Sequence, residues 1–164
     1  MGKVISLKIV KQDLTTALQE SLKHFTGKFV QKYPIYSSKA VKGKQLWEYA
    51  RESVQVELPE REVFVKKLQF IKIKKVASKK LLYNIEKRIQ KVMGDFRQKE
   101  ILKTWQQNLK TKTTQHFYIA SFKIKCSSGT YVRGIANDLG EKTGTPTLAY
   151  SIKRTKIGKW AKAE

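Results

Sequence analysis

The sequence predicts an α+β fold: a mixed, mainly antiparallel sheet with helices packed on it, interrupted by a helical hairpin. Three observations carry this. β-Branched and aromatic residues dominate Arg61–Lys74, and the strand pattern resumes over Phe117–Cys126. Apolar residues recur at helical spacing over Leu14–Phe25, Ser78–Lys112 and Tyr131–Glu141. The remaining segments are short, which favours antiparallel pairing over long parallel crossovers.

The elements follow in order. Val4–Val10 reads as a short strand, and Asp13 as the cap of a helix carrying Leu14, Ala17, Leu18, Leu22 and Phe25, with Gly27 ending that segment. Lys28–Lys44 reads as irregular because it holds Pro34, a Tyr-Ser-Ser cluster and Gly43. Gln45–Glu52 is a short helix, and Val54, Val56 and Leu58 alternate as a strand does until Pro59. Arg61–Lys74 is a longer strand with a phase slip, the signature of a bulge. Leu81, Leu82, Ile85, Ile89 and Val92 make one helical stripe; Ile101, Leu102, Trp105 and Leu109 make another, with Gly94 between them. Ser127–Thr130 is a turn and helix start, and Leu148–Ile157 is extended. The organisation expected is one domain built from residues 1–77 and 113–164, with the hairpin 78–112 inserted into it.

Charge narrows the partner. The chain has 164 residues, 35 Lys plus Arg against 13 Asp plus Glu, and a net charge of +22. Such an excess repels itself unless counter-charge is bound, and a phosphate backbone is the natural source. The density peaks at Lys66, Lys67, Lys72, Lys74, Lys75, Lys79, Lys80, Lys87, Arg88 and Lys91, against Glu86 alone. A solvated basic face is the competing reading. A membrane surface is weaker, because no long amphipathic segment joins a basic face to an aromatic one. The single cysteine, Cys126, excludes an internal disulfide framework and a cysteine-based zinc site, and the two histidines, His24 and His116, are too few for a His-rich metal centre. No metal is expected. The apolar N-terminal stretch is broken by Lys8, and no run approaches a membrane span, so a cytoplasmic chain is expected.

Two blocks exceed generic secondary structure. One is Tyr33-Pro34-Ile35-Tyr36-Ser37-Ser38-Lys39 with Gly43-Lys44 and Tyr49-Ala50-Arg51. The other is Cys126-Ser127-Ser128-Gly129-Thr130-Tyr131-Val132-Arg133, followed by Asp138-Leu139-Gly140 and Ile152-Lys153-Arg154-Thr155. Together they resemble the TruB family of tRNA pseudouridine(55) synthases, over Gly27–Lys75 and Phe117–Trp160. The resemblance implies a pseudouridine-synthase-like half domain, the C-terminal part of the catalytic domain. It implies isomerisation of a uridine flipped out of the tRNA T-loop, with no cofactor. Tyr131 would lie beside the base, Arg133 would pair with the catalytic aspartate, and Ile152 would line the base pocket. Tyr36, Lys39, Lys44, Arg51, Lys153 and Arg154 are the candidate RNA contacts. A flipped base needs a snug apolar or aromatic pocket, and a guanidinium can fix a carboxylate in one orientation.

The chain departs from the family pattern in one large respect. The family's nucleophile lies in a G-x-x-D-P-x-A-x-G type segment, whereas the aspartates here are Asp13, Asp95 and Asp138, none in such surroundings. The expectation is therefore a truncated or split enzyme, inactive alone, whose missing half comes from elsewhere, for instance a second chain. The alternatives are a non-catalytic RNA-binding module of the same descent, or a basic ribonucleoprotein component. Smaller departures are Pro34-Ile35 in place of two prolines, the early position of Lys39, and the hairpin itself.

Overall fold

Backbone pairing organises the chain around one long strand. The computed structural model describes residue 7, residues 14–110 and residues 116–161. These form α1 (Thr15–Ser21), a 3-10 turn (Leu22–Phe25), β1 (Gly27–Lys32), β2 (Ala40–Val41), β3 (Lys44–Gln45), α2 (Leu46–Glu52), β4 (Glu60–Ala77), α3 (Ser78–Gln90), α4 (Gln98–Lys110), β5 (His116–Cys126), α5 (Val132–Lys142), β6 (Lys156–Ile157) and β7 (Trp160–Ala161). β4 is the centre of a three-stranded sheet in the order β1-β4-β5, antiparallel on both sides. The α+β class and the mainly antiparallel sheet are as the sequence predicts.

β4 runs 18 residues, about 60 Å at the usual rise per strand residue. That length lets it serve two apolar clusters. At one end Val65 packs with Leu22, Phe25, Ile135 and Leu139, and Leu68, Phe70, Phe122 and Ile124 extend the layer. At the other end Val76 and Phe117 pack against the hairpin, whose buried residues are Leu81, Ile85, Ile89, Trp105 and Leu109. Register shifts between Val65 and Lys67 and between Phe70 and Lys72 set the phase of the strand. Strict alternation after Val65 would turn Lys67 inward. The first bulge gives that place to Leu68, and the second gives it to Ile73 in place of Lys72.

The hairpin α3–α4 takes the form its two stripes predict. Gly94, at φ 84, turns the chain between the helices, a backbone conformation that costs glycine little. Gln106 Nε2 donates to Glu86 Oε1 at 2.8 Å and ties the helices together. Val92 differs from expectation: α3 ends at Gln90, so Val92 lies beyond the helical face and is exposed.

Three other expectations are corrected. The segment from Lys28, expected irregular, is β1 as far as Lys32, followed after a loop by the β2–β3 hairpin. Turn residues in the second half of the segment masked the strand in the first. Val54–Leu58 is not a strand. Ser53, at φ 58, turns the chain out of α2, and Val54 N–H bonds back to the Tyr49 carbonyl at 3.0 Å. Of Leu148–Ile157, only Lys156–Ile157 is in a strand. The stretch before it is anchored piecewise, by Thr147 Oγ1 to the Ala136 carbonyl and by the Tyr150 carbonyl to Arg88 Nη1 at 2.8 Å. The expected strand Val4–Val10, apart from residue 7, and the cap at Asp13 lie outside the described residues.

Candidate RNA-binding and active site

The loop between β1 and β2 and the start of α5 are brought together by one buried glutamine. Gln31, 3% exposed, sits on the inward face of β1. Its Oε1 accepts the Tyr131 N–H at 2.8 Å, and its Nε2 donates to the Tyr131 carbonyl at 3.0 Å. The pair of bonds satisfies both backbone groups of the residue that opens α5. Gly134 leaves room for it: a Cβ there would stand 2.8 Å from Gln31 Nε2.

The turn preceding α5 is built just as tightly. Ser127 N–H donates to the Phe64 carbonyl at 2.7 Å, and Phe64 N–H returns to Ser127 Oγ at 3.0 Å. Thr130 Oγ1 donates to the Ser127 carbonyl at 2.9 Å. Gly129, at φ 80, has the Arg61 guanidinium against it, where a Cβ would meet Nη1 at 1.9 Å. The Ser-Ser-Gly-Thr block is thus a structural platform that fixes where Tyr131 and Arg133 emerge.

Around that platform several candidate residues converge. The Tyr131 ring meets Tyr33 edge-on, with centroids 5.4 Å apart, and Lys39 Nζ lies 5.7 Å from the Tyr33 ring. Arg133, exposed on the first turn of α5, donates from Nη2 to the Tyr36 carbonyl at 3.0 Å. Arg97 reaches the same tyrosine from the α3–α4 loop, its Nη2 donating to Tyr36 Oη at 3.0 Å. That hydrogen bond and the nearby phenol favour the charged guanidinium and raise the Arg97 pKa. Two arginines from separate elements therefore hold the two ends of Tyr36, whose side chain remains 46% exposed.

Lys44 and Arg51 belong to the neighbouring β3 and α2. The Glu48 carboxylate accepts the Gln45 N–H at 2.7 Å and caps α2. Lys44 pairs with Glu52, and that hydrogen bond raises its pKa despite partial desolvation. Its Nζ also lies 5.2 Å from the Tyr49 ring, while Arg51 stands over Trp47 at 5.7 Å. Ile152, Lys153 and Arg154 are exposed on the irregular stretch before β6, and the bonds and ring contacts that assemble the Tyr131–Tyr36 cluster do not include them.

Neither described aspartate faces Arg133 as a partner. Asp95 Oδ1 accepts the Arg97 N–H at 3.2 Å in the α3–α4 loop. Asp138 lies half-buried on α5, where desolvation and then the adjacent Glu141 raise its pKa. His24 lies in the 3-10 turn, His116 opens β5, and Cys126 closes it beside the sheet core. Among the described residues, no three His, Cys, Asp or Glu side chains are grouped as a metal site, and no helix is long and apolar enough to cross a membrane.

Two residues of this cluster are not legible in the sequence. Gln31 is hidden with β1, since a polar residue on an inward strand position is recognisable only once the strand is. Arg97 had no signal at all, because its role depends on how the hairpin folds back toward the loop.

Comparison with known proteins agrees with the assembled motifs. The family model described as TruB family pseudouridylate synthase (N terminal domain) matches residues 1–90. The chain is 34% identical over 148 residues to tRNA pseudouridine synthase B of Lactobacillus johnsonii, covering 90% of this chain and 38% of that protein. It is 32% identical over 155 residues to tRNA pseudouridine synthase B of Lactobacillus delbrueckii subsp. bulgaricus, covering 94% and 40% respectively. Against tRNA pseudouridine synthase B of Shouchella clausii it is 29% identical over 164 residues, 99% of this chain and 42% of that protein. The chain thus spans about two fifths of the length of the curated relatives it matches. With more than half of its residues under the family model, the chain belongs to the TruB family of pseudouridylate synthases.

Proposed function

We propose that the chain works as part of a tRNA pseudouridine synthase that converts a uridine of the T-loop to pseudouridine. In this reading an aspartate from outside these residues acts on the flipped uridine and is regenerated unchanged. The base detaches from its ribose carbon, turns, and rejoins through a ring carbon, so the reaction is an isomerisation that needs no cofactor. Tyr131 walls the base and Arg133 orients the carboxylate. Ile152 closes the pocket, and Tyr36, Lys39, Lys44, Arg51, Lys153 and Arg154 hold the RNA. The location expected for this work is the cytoplasm.

The observation that carries the reading is the Gln31-pinned junction that sets Tyr131 and Arg133 beside the Tyr36 loop. Arg133 is exposed and donates from Nη2 to a neutral carbonyl, that of Tyr36. A guanidinium carries five N–H donors, which leaves capacity for an incoming carboxylate. The proposal that the nucleophile comes from elsewhere rests on the sequence around Asp13, Asp95 and Asp138, none of which lies in a G-x-x-D-P-x-A-x-G type segment, and, for the two described aspartates, on the placement of Asp95 and Asp138 away from Arg133.

The same observation favours a second reading, a non-catalytic RNA-binding module, and one experiment separates the two. The chain is incubated with a T-arm stem-loop RNA, alone and together with the Asp-bearing segment of a relative supplied as a separate polypeptide. The expected result is RNA binding by the chain alone and pseudouridine only in the mixture, abolished by Arg133→Ala with little change in binding. Binding without product in the mixture identifies the module. Product from the chain alone would show that the nucleophile lies within it, and absence of binding would refute both readings.

A further inference from the structure

We propose that the loop between α3 and α4, residues 91–97, is an additional RNA-contacting element that takes an unpaired base on Phe96. The inference rests on the RNA reading above and extends it to a part of the chain outside both motif blocks.

The first support is exposure. Met93 is 89% exposed, Phe96 64% and Val92 43%. Three exposed large apolar residues within five positions at a hairpin tip leave apolar surface in water, which favours a contact site. The second is order. Gln98 Oε1 accepts the Phe96 N–H at 2.8 Å, Gln98 Nε2 donates to the Val92 carbonyl at 3.1 Å and also bonds the Gly94 carbonyl, and Asp95 accepts the Arg97 N–H. The Phe96 ring lies against Gly94, 3.1 Å from where a Cβ would stand. A loop already fixed in this way presents its aromatic ring with little ordering cost on binding.

The third support decides the occupant. Arg97 joins this loop to the candidate site, with its guanidinium hydrogen-bonded to Tyr36 Oη and 5.8 Å from the Tyr36 ring centroid. The exposed Phe96 is therefore next in sequence to a residue that touches the motif loop. Lys79, Lys80, Lys87, Arg88 and Lys91 lie exposed along the same hairpin. Exposed aromatics interleaved with cations suit single-stranded nucleic acid, where bases stack on rings while lysines follow the backbone. The predominance of positive charge disfavours a basic protein partner.

The test is fluorescence anisotropy with two labelled RNAs, a T-arm stem-loop and a fully paired duplex of the same stem, using the full chain. Phe96→Ala is expected to weaken stem-loop binding by about 5- to 150-fold, the range set by loss of one base–aromatic stack, and to leave duplex binding unchanged. Phe96→Trp is expected to restore it, since the larger ring keeps the stacking face. Equal affinities for wild type and Phe96→Ala would overturn the proposal while leaving the RNA reading intact. Equal loss on both RNAs would overturn it too, because a base-stacking residue cannot act on a duplex with no unpaired base. Wild type that binds neither RNA would remove the proposal together with the reading beneath it.

Discussion

Gln31 shows how much of the site depends on one uncharged side chain. It is buried and bonded twice to Tyr131, so removing its amide leaves the part-buried Tyr131 N–H without its partner, while the Tyr131 carbonyl keeps the Ile135 N–H at 3.2 Å. A buried donor left unsatisfied costs about 1–3 kcal/mol. Gln31→Leu, which keeps the volume and removes the polarity, should destabilise the chain by about that amount in urea unfolding, with the resonances of Tyr131 and Arg133 shifted. Gly134→Ala should act in the same direction, because its Cβ would press on the same amide. Wild-type stability in Gln31→Leu would mean that the two bonds contribute nothing net. Asp138 supplies the opposite case. Its pKa is raised from 3.8 by burial and by Glu141, so the folded state penalises the charged form. The sign follows: no penalty operates below the unfolded value, and stability is lost as pH rises through the folded one. Asp138→Asn should therefore raise the melting temperature at neutral pH, with the advantage vanishing below about pH 4.

At the scale of elements, local periodicity proved sufficient where an element buries one face along its whole length. The two hairpin helices and β5 fold where their patterns place them, since Leu81, Ile85 and Ile89 on one helix and Trp105 and Leu109 on the other all reach one core. β4 was legible except for its length, including the slip that its bulges explain. β1 was not, because its alternation is Phe29, Gln31 inward and Val30 outward, with Val30 61% exposed. Only pairing with β4 decides that face, and pairing is a tertiary fact. Tyr131, Arg133 and Tyr36 were legible as motif members, but the contacts through Gln31 and Arg97 join residues far apart in sequence and could not be read from spacing. The hairpin core can be probed by itself. Ile85 is fully buried there, and Ile85→Ala should cost about 2–5 kcal/mol. Trp105, 3% exposed in the same core, supplies the fluorescence signal in a Trp47→Phe, Trp160→Phe background, and that signal should change at lower urea in the variant. Coincident loss of this signal and of the sheet's circular dichroism would show that both cores unfold together.

At the scale of the molecule, the charge has a direction. All ten cations from Lys66 to Lys91 are exposed, and they run from the middle of β4 into α3. The described ion pairs Lys28–Glu62 and Lys32–Glu60 lie elsewhere, at the β1 end of the sheet, where acidic residues sit across the ladder. The dense stretch thus keeps most of its charge for an external partner, whereas the β1 end balances its own. Counterion release then governs the proposed RNA binding: each neutralised phosphate contributes about 0.7–0.9 to the slope of log affinity against log salt. Replacing Lys74, Lys75, Lys79 and Lys80 together by Gln should weaken binding of a T-arm RNA and flatten that slope by up to about 3–4. Arg133→Ala should leave the slope nearly unchanged, because its proposed partner is a carboxylate rather than a phosphate. Replacing Lys28 and Lys32 should do little, since both are already paired with glutamates. A slope that falls equally for all three sets would mean that the protein's overall charge, and not the β4–α3 face, attracts the RNA. A slope unaffected by the quadruple change would place the RNA on another surface altogether.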